Sequence, residues 1–265
     1  MIRIVGYLLA LFLLTAVFGR SALADESTAT WPKDKPVVIG TITHNPPYVL
    51  QNPSGGIDLD LVEAAFGRVG LKVEFTHAPL SRVQILLETN KVDAMTTFRT
   101  IEGLCVNSEI FSYWHDGISV PKQLEKEVAT VQDLAGLRVG MFPGAVMVLP
   151  NLTEQDVSSF GSSVTVFNRG QLIKMLHYGR LDAYIGDYWA LEYAYRQLTP
   201  DQPKPYRVAV EFEPTPRRLC IKNSALVEPF NRGVKAILAE GLPEKVKARY
   251  LGEGAEDMVR PEVRQ

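Results

Sequence analysis

The sequence predicts an α/β protein of two lobes, each a mainly parallel sheet flanked by helices, with a ligand cleft between them. Three observations predict it. Apolar β-branched runs alternate with amphipathic runs over residues 36–98, and a second alternating series starts near Gly117. One small device occurs twice: "LLETNKVDAMTTFR" at 86–99 and "MLHYGRLDAYIGDY" at 175–188. Each ends an apolar helical run, turns, gives a basic residue, an aliphatic residue and "DA", and enters a strand. Two further segments, "FSYWHDG" at 111–117 and "YRVAVEFEPTPRRLCIKNS" at 206–224, are placed to cross between lobes and so form a hinge.

The elements follow in order. "PVVIGTI" is a buried strand, β-branched and nearly continuous. "THNPPYVLQNPSGG" is loop, rich in Pro, Asn and Gly. "DLDLVEAAFGRVG" is an amphipathic helix with Leu59, Val62, Ala65 and Phe66 on one face, Asp58 as expected N-cap and Gly70 as stop. "LKVEFTHA" is a strand, "SRVQILLETN" a helix with Ser81 as expected cap, and "VDAMTTF" a third strand. The second series reads "GISVPK" (strand), "VQDLAG" (short helix), "LRVGMF" and "SVTVFN" (strands), "RGQLIKMLHYG" (helix), "LDAYIGD" (strand) and "YWALEYAYRQL" (helix). The helices within residues 225–252 are expected to complete the first lobe. The repeated device then has a reason: each copy brings residues to the carboxyl end of a parallel strand, where ligands of open α/β sheets bind.

The N-terminus has the layout of a secretory signal peptide. Arg3 precedes an apolar run from Ile4 to Phe18, and Ser21-Ala22-Leu23-Ala24 places small residues before Asp25. The run is short against the about 20 residues of a membrane-spanning helix. Cleavage after Ala24 and a periplasmic product are expected. The domain plan is then a signal peptide at 1–24, a discontinuous first lobe at 36–113 and 215–265, and a second lobe at 114–214.

Composition excludes some classes. A formal net charge of −2 over 265 residues leaves no electrostatic footprint for nucleic acid. The four histidines are scattered and the two cysteines stand far apart, so no metal or cofactor is expected. Cys105 and Cys220 stand as a candidate disulfide, since an exported protein meets an oxidising compartment, or as free thiols.

An ordered set of stretches resembles a known family: "PPYVL", "GGIDLDLVEAAFGRVGLKVEF", "LLETNKVDAM", "VQDLAGLRVGMFPG", "YGRLDAYIGDYWALEY" and "FNRGVKAILAEG". Together they span most of residues 36–252, and they are similar to the bacterial extracellular solute-binding proteins of family 3. The resemblance implies the type II periplasmic-binding fold, closure on a small solute such as an amino acid, and delivery to the membrane permease of an ABC transporter or to a sensor receptor. It implies that Asp187, in "YIGDY", holds a ligand amine and that Tyr48, after Pro-Pro, stacks on the ligand. The family's carboxylate-gripping Arg falls here on Gly103 of "RTIEG", with Arg99 four residues earlier. Its hydroxyl-bearing loop reads Gly144-Ala145-Val146. Both usual carboxylate anchors are therefore altered while the amine anchor is kept.

Read from the residues themselves, Asp187 ends an apolar strand and serves as a ligand carboxylate, an N-cap for "YWALEYAY", or both. Asp93 and Asp182, the "DA" aspartates, are turn or cap residues. Arg99 closes the third strand, and its fork of donors suits a carboxylate or phosphate. Thr96 and Thr97 alternate faces, so at most one of them is expected to face the cleft. Arg82 opens a helix, where a cation is unfavourable; a surface ion pair or a ligand anion would offset it. His44 and Tyr48 flank a Pro pair that stiffens the cleft rim. Trp114 is a cleft wall or a hinge cover. A closing clamp needs free lobes, which favours a monomer. The enzyme alternative, resembling cyclohexadienyl dehydratases, requires a buried acid with a raised pKa; Glu102 and Glu109 have no paired constellation around them, and no nucleophile elbow, phosphate loop or metal motif is present.

Overall fold

The computed structural model describes residues 31–97, 99, 101–198 and 203–252, so the signal-peptide segment lies outside the described residues. The chain opens with β1 (Val37–Thr41), the short hairpin β2 (Leu50–Gln51) and β3 (Ser54–Gly55), and α1 (Ile57–Arg68). Then come β4 (Val73–His77), α2 (Leu80–Glu88), β5 (Ala94–Thr97), β6 (Val106–Asn107) and β7 (Ser112–Trp114). A second series follows: β8 (Asp116–Pro121), a 3-10 turn at Gln132–Leu134, β9 (Arg138–Met141), α3 (Ala145–Val148), α4 (Glu154–Ser159), β10 (Ser162–Thr165), α5 (Arg169–His177), β11 (Ala183–Asp187), α6 (Tyr188–Leu198) and β12 (Tyr206–Glu211). The chain returns through β13 (Thr215–Ile221) and ends in α7 (Val227–Ala239) and α8 (Leu242–Leu251).

These strands form two separate larger sheets. The first runs β4-β1-β5-β13-β6, with β7 on β13; the second runs β10-β9-β11-β8-β12. Each has three parallel strands (β4, β1, β5 and β10, β9, β11) followed by antiparallel ones. The chain passes between sheets twice, at Trp114–Asp116 and at Glu211–Thr215. The "YRVAVEFEPTPRRLCI" run is thus two strands in different sheets, because Pro214 and its neighbours interrupt the ladder between β12 and β13.

The repeated device performs the same job in both sheets. Asp93 Oδ2 accepts from Val38 N at 2.9 Å, and Asp93 N donates to Val38 O at 2.8 Å. Asp182 Oδ2 accepts from Arg138 N at 2.9 Å, and Asp182 N donates to Arg138 O at 2.9 Å. Each "DA" aspartate therefore pins the start of the neighbouring parallel strand with both its side chain and its backbone. That fixes the register in which β5 and β11 deliver their carboxyl ends.

Helix α1 buries Leu59, Val62, Ala65 and Phe66, as its spacing predicts, and each large apolar side chain so buried contributes roughly 1.5–3 kcal/mol. It crosses α7 with the Phe66 and Phe230 ring centroids 4.8 Å apart. Gly233 of α7 lies so close to the Ala65 backbone that no β-carbon fits there. The helix does not start where Asp58 would cap it. Its N-cap is Gly56, at φ +109, and the first-turn donors Ile57 N and Asp58 N are taken by Pro47 O and Tyr48 O. Loop carbonyls thus replace a side-chain cap and leave Asp58 for another role. Likewise α2 begins at Leu80 after Pro79, so Ser81 lies in the first turn and caps nothing. In the second lobe, Asn168 caps α5 through Gln171 N, and Thr153 with Asp156 forms a capping box on α4. Cys105 and Cys220 are joined as a disulfide with Cα atoms 5.3 Å apart.

Candidate functional site

The site is built where the chain passes from the first sheet to the second. β11 and β8 pair antiparallel with Asp187 directly opposite Asp116 and Gly186 opposite Gly117. Gly186 stands at φ +155, and a β-carbon there would strike the Tyr184 ring. Both aspartates are 7% exposed. Asp187 Oδ1 accepts from Ala190 N at 2.6 Å, which makes it the cap of α6. Its Oδ2 accepts from His115 N at 3.3 Å, and the Tyr48 hydroxyl donates to the same carboxylate. The carboxylate that caps α6 is thus also the one that Tyr48 meets.

Tyr48 reaches this point from the first lobe, out of the loop after β1. It is fully buried, with its ring centroid 5.5 Å from that of Trp114 and 6.3 Å from that of Trp189. His115 stacks on Trp189 at 3.7 Å. Burial lowers the His115 pKa to about 4, assisted by the charge of Lys247, so the ring is neutral at neutral pH. From the second lobe, Arg169 at the start of α5 donates through Nη2 to Asn45 Oδ1 at 2.9 Å. That hydrogen bond joins the two lobes.

Burial pushes both carboxyls upward. Asp187 rises to about 6, with Ala190 N, Arg169, Tyr48 and His115 N acting against the rise. Asp116 rises to about 7, through burial first and the Asp187 charge second, with Arg169 acting against it.

Four predicted residues, Thr96, Thr97, Arg99 and Trp114, line one cavity of about 200 Å³ at the carboxyl end of β5, together with Ile42, Leu80 and Arg217. Its walls are chiefly apolar. Thr96 Oγ1 hydrogen-bonds Thr41 Oγ1 at 3.1 Å, and Thr97 Oγ1 donates to Arg99 O at 2.9 Å. The remaining predicted residues are not brought there. Tyr48 packs against Trp114 without lining the cavity, and Asp187, which meets Tyr48, does not line it either. His44 and Arg82 are exposed and outside the cavity lining. A larger space of about 370 Å³, lined by Leu61, Phe111, Trp189 and Lys247 among others, contains none of the predicted site residues. Among the described residues no group of His, Cys, Asp or Glu could hold a metal ion, and no helix is long and apolar enough to cross a membrane.

Sequence reasoning missed Asp116, Arg169, Asn45 and the Asp58–Arg217 pair. Arg217 Nε donates to Asp58 Oδ2 at 3.0 Å, Trp114 Nε1 donates to the same oxygen at 3.1 Å, and the guanidinium lies 4.0 Å from the centroid of the Trp114 ring. A basic pair inside an otherwise apolar strand, "PRRLCI", was the available signal for Arg217. Nothing local marked Asp116, whose partner is 71 positions away and is chosen by strand register.

Two sheets joined by paired crossings, with strand tips from both meeting at the crossing, define a two-lobed solute-binding protein of the type II periplasmic-binding fold. The chain belongs to the bacterial extracellular solute-binding proteins, family 3, whose model matches residues 37–253. It is 25% identical over 253 residues to the L-arginine-binding protein of Pseudomonas aeruginosa, covering 89% of this chain and 95% of that one. It is 22% identical over 242 residues to the "Probable amino-acid ABC transporter-binding protein" of Haemophilus influenzae, covering 89% and 92%. A crystal structure from Bacillus subtilis shares the fold with a TM-score of 0.66 at 20% identity, over 83% of this chain and 91% of that one.

Proposed function

We propose that this protein captures a small amine-bearing solute, an amino acid or a close relative, by closing its lobes on it. It then delivers the solute to the permease of an ABC transporter; a sensor receptor is the other destination. The observation that carries this is the Asp187 carboxylate at the tip of β11, met by the Tyr48 hydroxyl from the opposite lobe. An amine held there makes a charge-assisted contact away from water, and ligand contacts with both lobes select the closed state. Residues 36–113 with 215–265 form one moving body and 114–214 the other. Thr96, Thr97 and Arg99 face the rest of the solute, and Trp114 walls it. The names of the relatives, L-arginine-binding and amino-acid ABC transporter-binding, agree with this class of solute. Free movement of the lobes favours a monomer, and the export signal a periplasmic location.

A thermal-shift screen of the exported chain against amino acids, polyamines, organic acids and small cyclic amines tests it. A true ligand at a hundred times its Kd stabilises the fold by about 2.7 kcal/mol. Asp187→Ala is expected to weaken that ligand about 100-fold, near 2.7 kcal/mol. The same change costs the unliganded protein only about 1 kcal/mol through the lost cap. Unchanged affinity in Asp187→Ala would remove the main contact and with it this reading. One observation favours a second reading: Asp116, at about 7, has the pKa of a general acid working near neutrality. Consumption of a cyclohexadienyl substrate with turnover, rather than unchanged binding, would replace the receptor reading with the enzyme one.

A further inference from the structure

We propose that Asp116 is a second anionic anchor for the ligand's cationic group, which binds between Asp116 and Asp187 in exchange for a proton. The inference rests on the receptor reading above and adds a residue and a coupling to it.

Strand register places the two carboxylates side by side. Directly opposite residues of an antiparallel pair have Cβ atoms about 4.5–5.5 Å apart, and like charges there repel. Buried charges are ordinarily paired. Yet neither carboxylate is in an ion pair among the described residues. Asp187 has three hydrogen-bond donors; the Asp116 side chain, nine-tenths buried, has none among the described residues. The charge of Arg169 acts on both carboxylates from beyond ion-pair distance. Its Nε is buried without a hydrogen-bond partner while Nη2 holds Asn45. The buried Asp116 carboxyl thus has no donor, and the buried Arg169 Nε has no acceptor.

Charge balance says what fits. Two ionised carboxylates and one guanidinium leave one negative charge uncompensated. The other groups around them do not supply a cation. Tyr48, Tyr184 and Tyr188 are held protonated by burial. His115 is neutral, and Glu211 of β12 accepts from the Tyr188 hydroxyl at 2.6 Å. Lys247 is turned to Trp189, 5.3 Å from the centroid of its ring. In the unliganded protein near neutral pH a shared proton therefore does the compensating, in line with pKa values of about 6 and about 7 for Asp187 and Asp116. A ligand ammonium or guanidinium replaces that proton. The sign follows: both pKa values are raised in the free protein and fall when the cation binds. Affinity is thus full above pH about 7 and is lost as pH falls through the range about 7 to 5.

The test is titration calorimetry on the exported chain with L-arginine, L-glutamine and putrescine as probes. It is run near pH about 6.5 in two buffers of different ionisation enthalpy, where each bound cation is expected to release about half a proton or more. Asp116→Asn, which keeps the shape and removes the charge, is expected to bind the same probe about 10-fold or more weakly and to release only about a quarter of a proton, the share of Asp187. A probe that binds wild type without proton release, or binds Asp116→Asn as tightly as wild type, overturns the second anchor and leaves the receptor reading standing. If Asp116→Asn shows no cooperative melt, the wild-type count decides: release well above the about 0.25 proton that Asp187 alone gives at this pH supports the second anchor, and release at or below it overturns it. Failure of all three probes, and of the wider amine screen, sinks the receptor reading and this inference together.

Discussion

Replacing Asp58 with Asn, or Arg217 with Met, is expected to lower the stability of the protein by about 3–5 kcal/mol, read as a shift of the urea midpoint. The pair is the most deeply buried ionic contact described: the side chains are 0% and 2% exposed. Burial raises the Asp58 pKa and lowers that of Arg217, each toward its neutral form, while each partner's charge opposes the other's shift. The ionised pair therefore depends on its own geometry and on the donors from Trp114 and Ser112 that share the carboxylate. Removing one member strands the other in an apolar core and frees the Trp114 ring that walls the cavity. The double variant Asp58→Leu/Arg217→Met is expected to recover most of the loss, because the desolvation cost goes with both charges. Single variants within about 1 kcal/mol of wild type would show the pair to be solvated in solution.

Reducing the Cys105–Cys220 bond, or changing both to Ser, is expected to cost about 2–5 kcal/mol. The bond closes a loop of 115 positions. The chain-entropy model gives about 5 kcal/mol for a loop of that size, and native-state relaxation reduces it. The bond clamps the start of β6 to β13, the strand that returns to the first sheet after the whole second series. Its loss should therefore lower the melting temperature without changing ligand affinity at a temperature where the protein is folded. Equal melting temperatures with and without reductant would mean the thiols are unpaired in solution.

Local chemistry made much of the fold legible. The period of "LVEAAF" gave α1 its buried face, and the β-branched "PVVIGTI" gave β1. The doubled "DA" device announced two sheets of like construction, because the turn chemistry is local and repeats, although the strand each aspartate pins lies 55 and 44 positions away. Caps were less legible. Asp58 and Ser81 have the right side chains at helix starts, but loop carbonyls and Pro79 came first.

Site residues divide the same way. The sequence by itself determined the alternating α/β order, the two lobes, the crossing segments and Asp187 at a strand tip, because helix and strand periodicity and turn chemistry act over a few residues. Only the tertiary structure decided that Asp116 lies beside Asp187, that Arg169 reaches Asn45 across the lobes, and that Asp58 turns inward to Arg217. Those partners are 71, 124 and 159 positions apart, the first set by strand register, and long-range electrostatic pairing leaves no periodic trace in a chain before it folds.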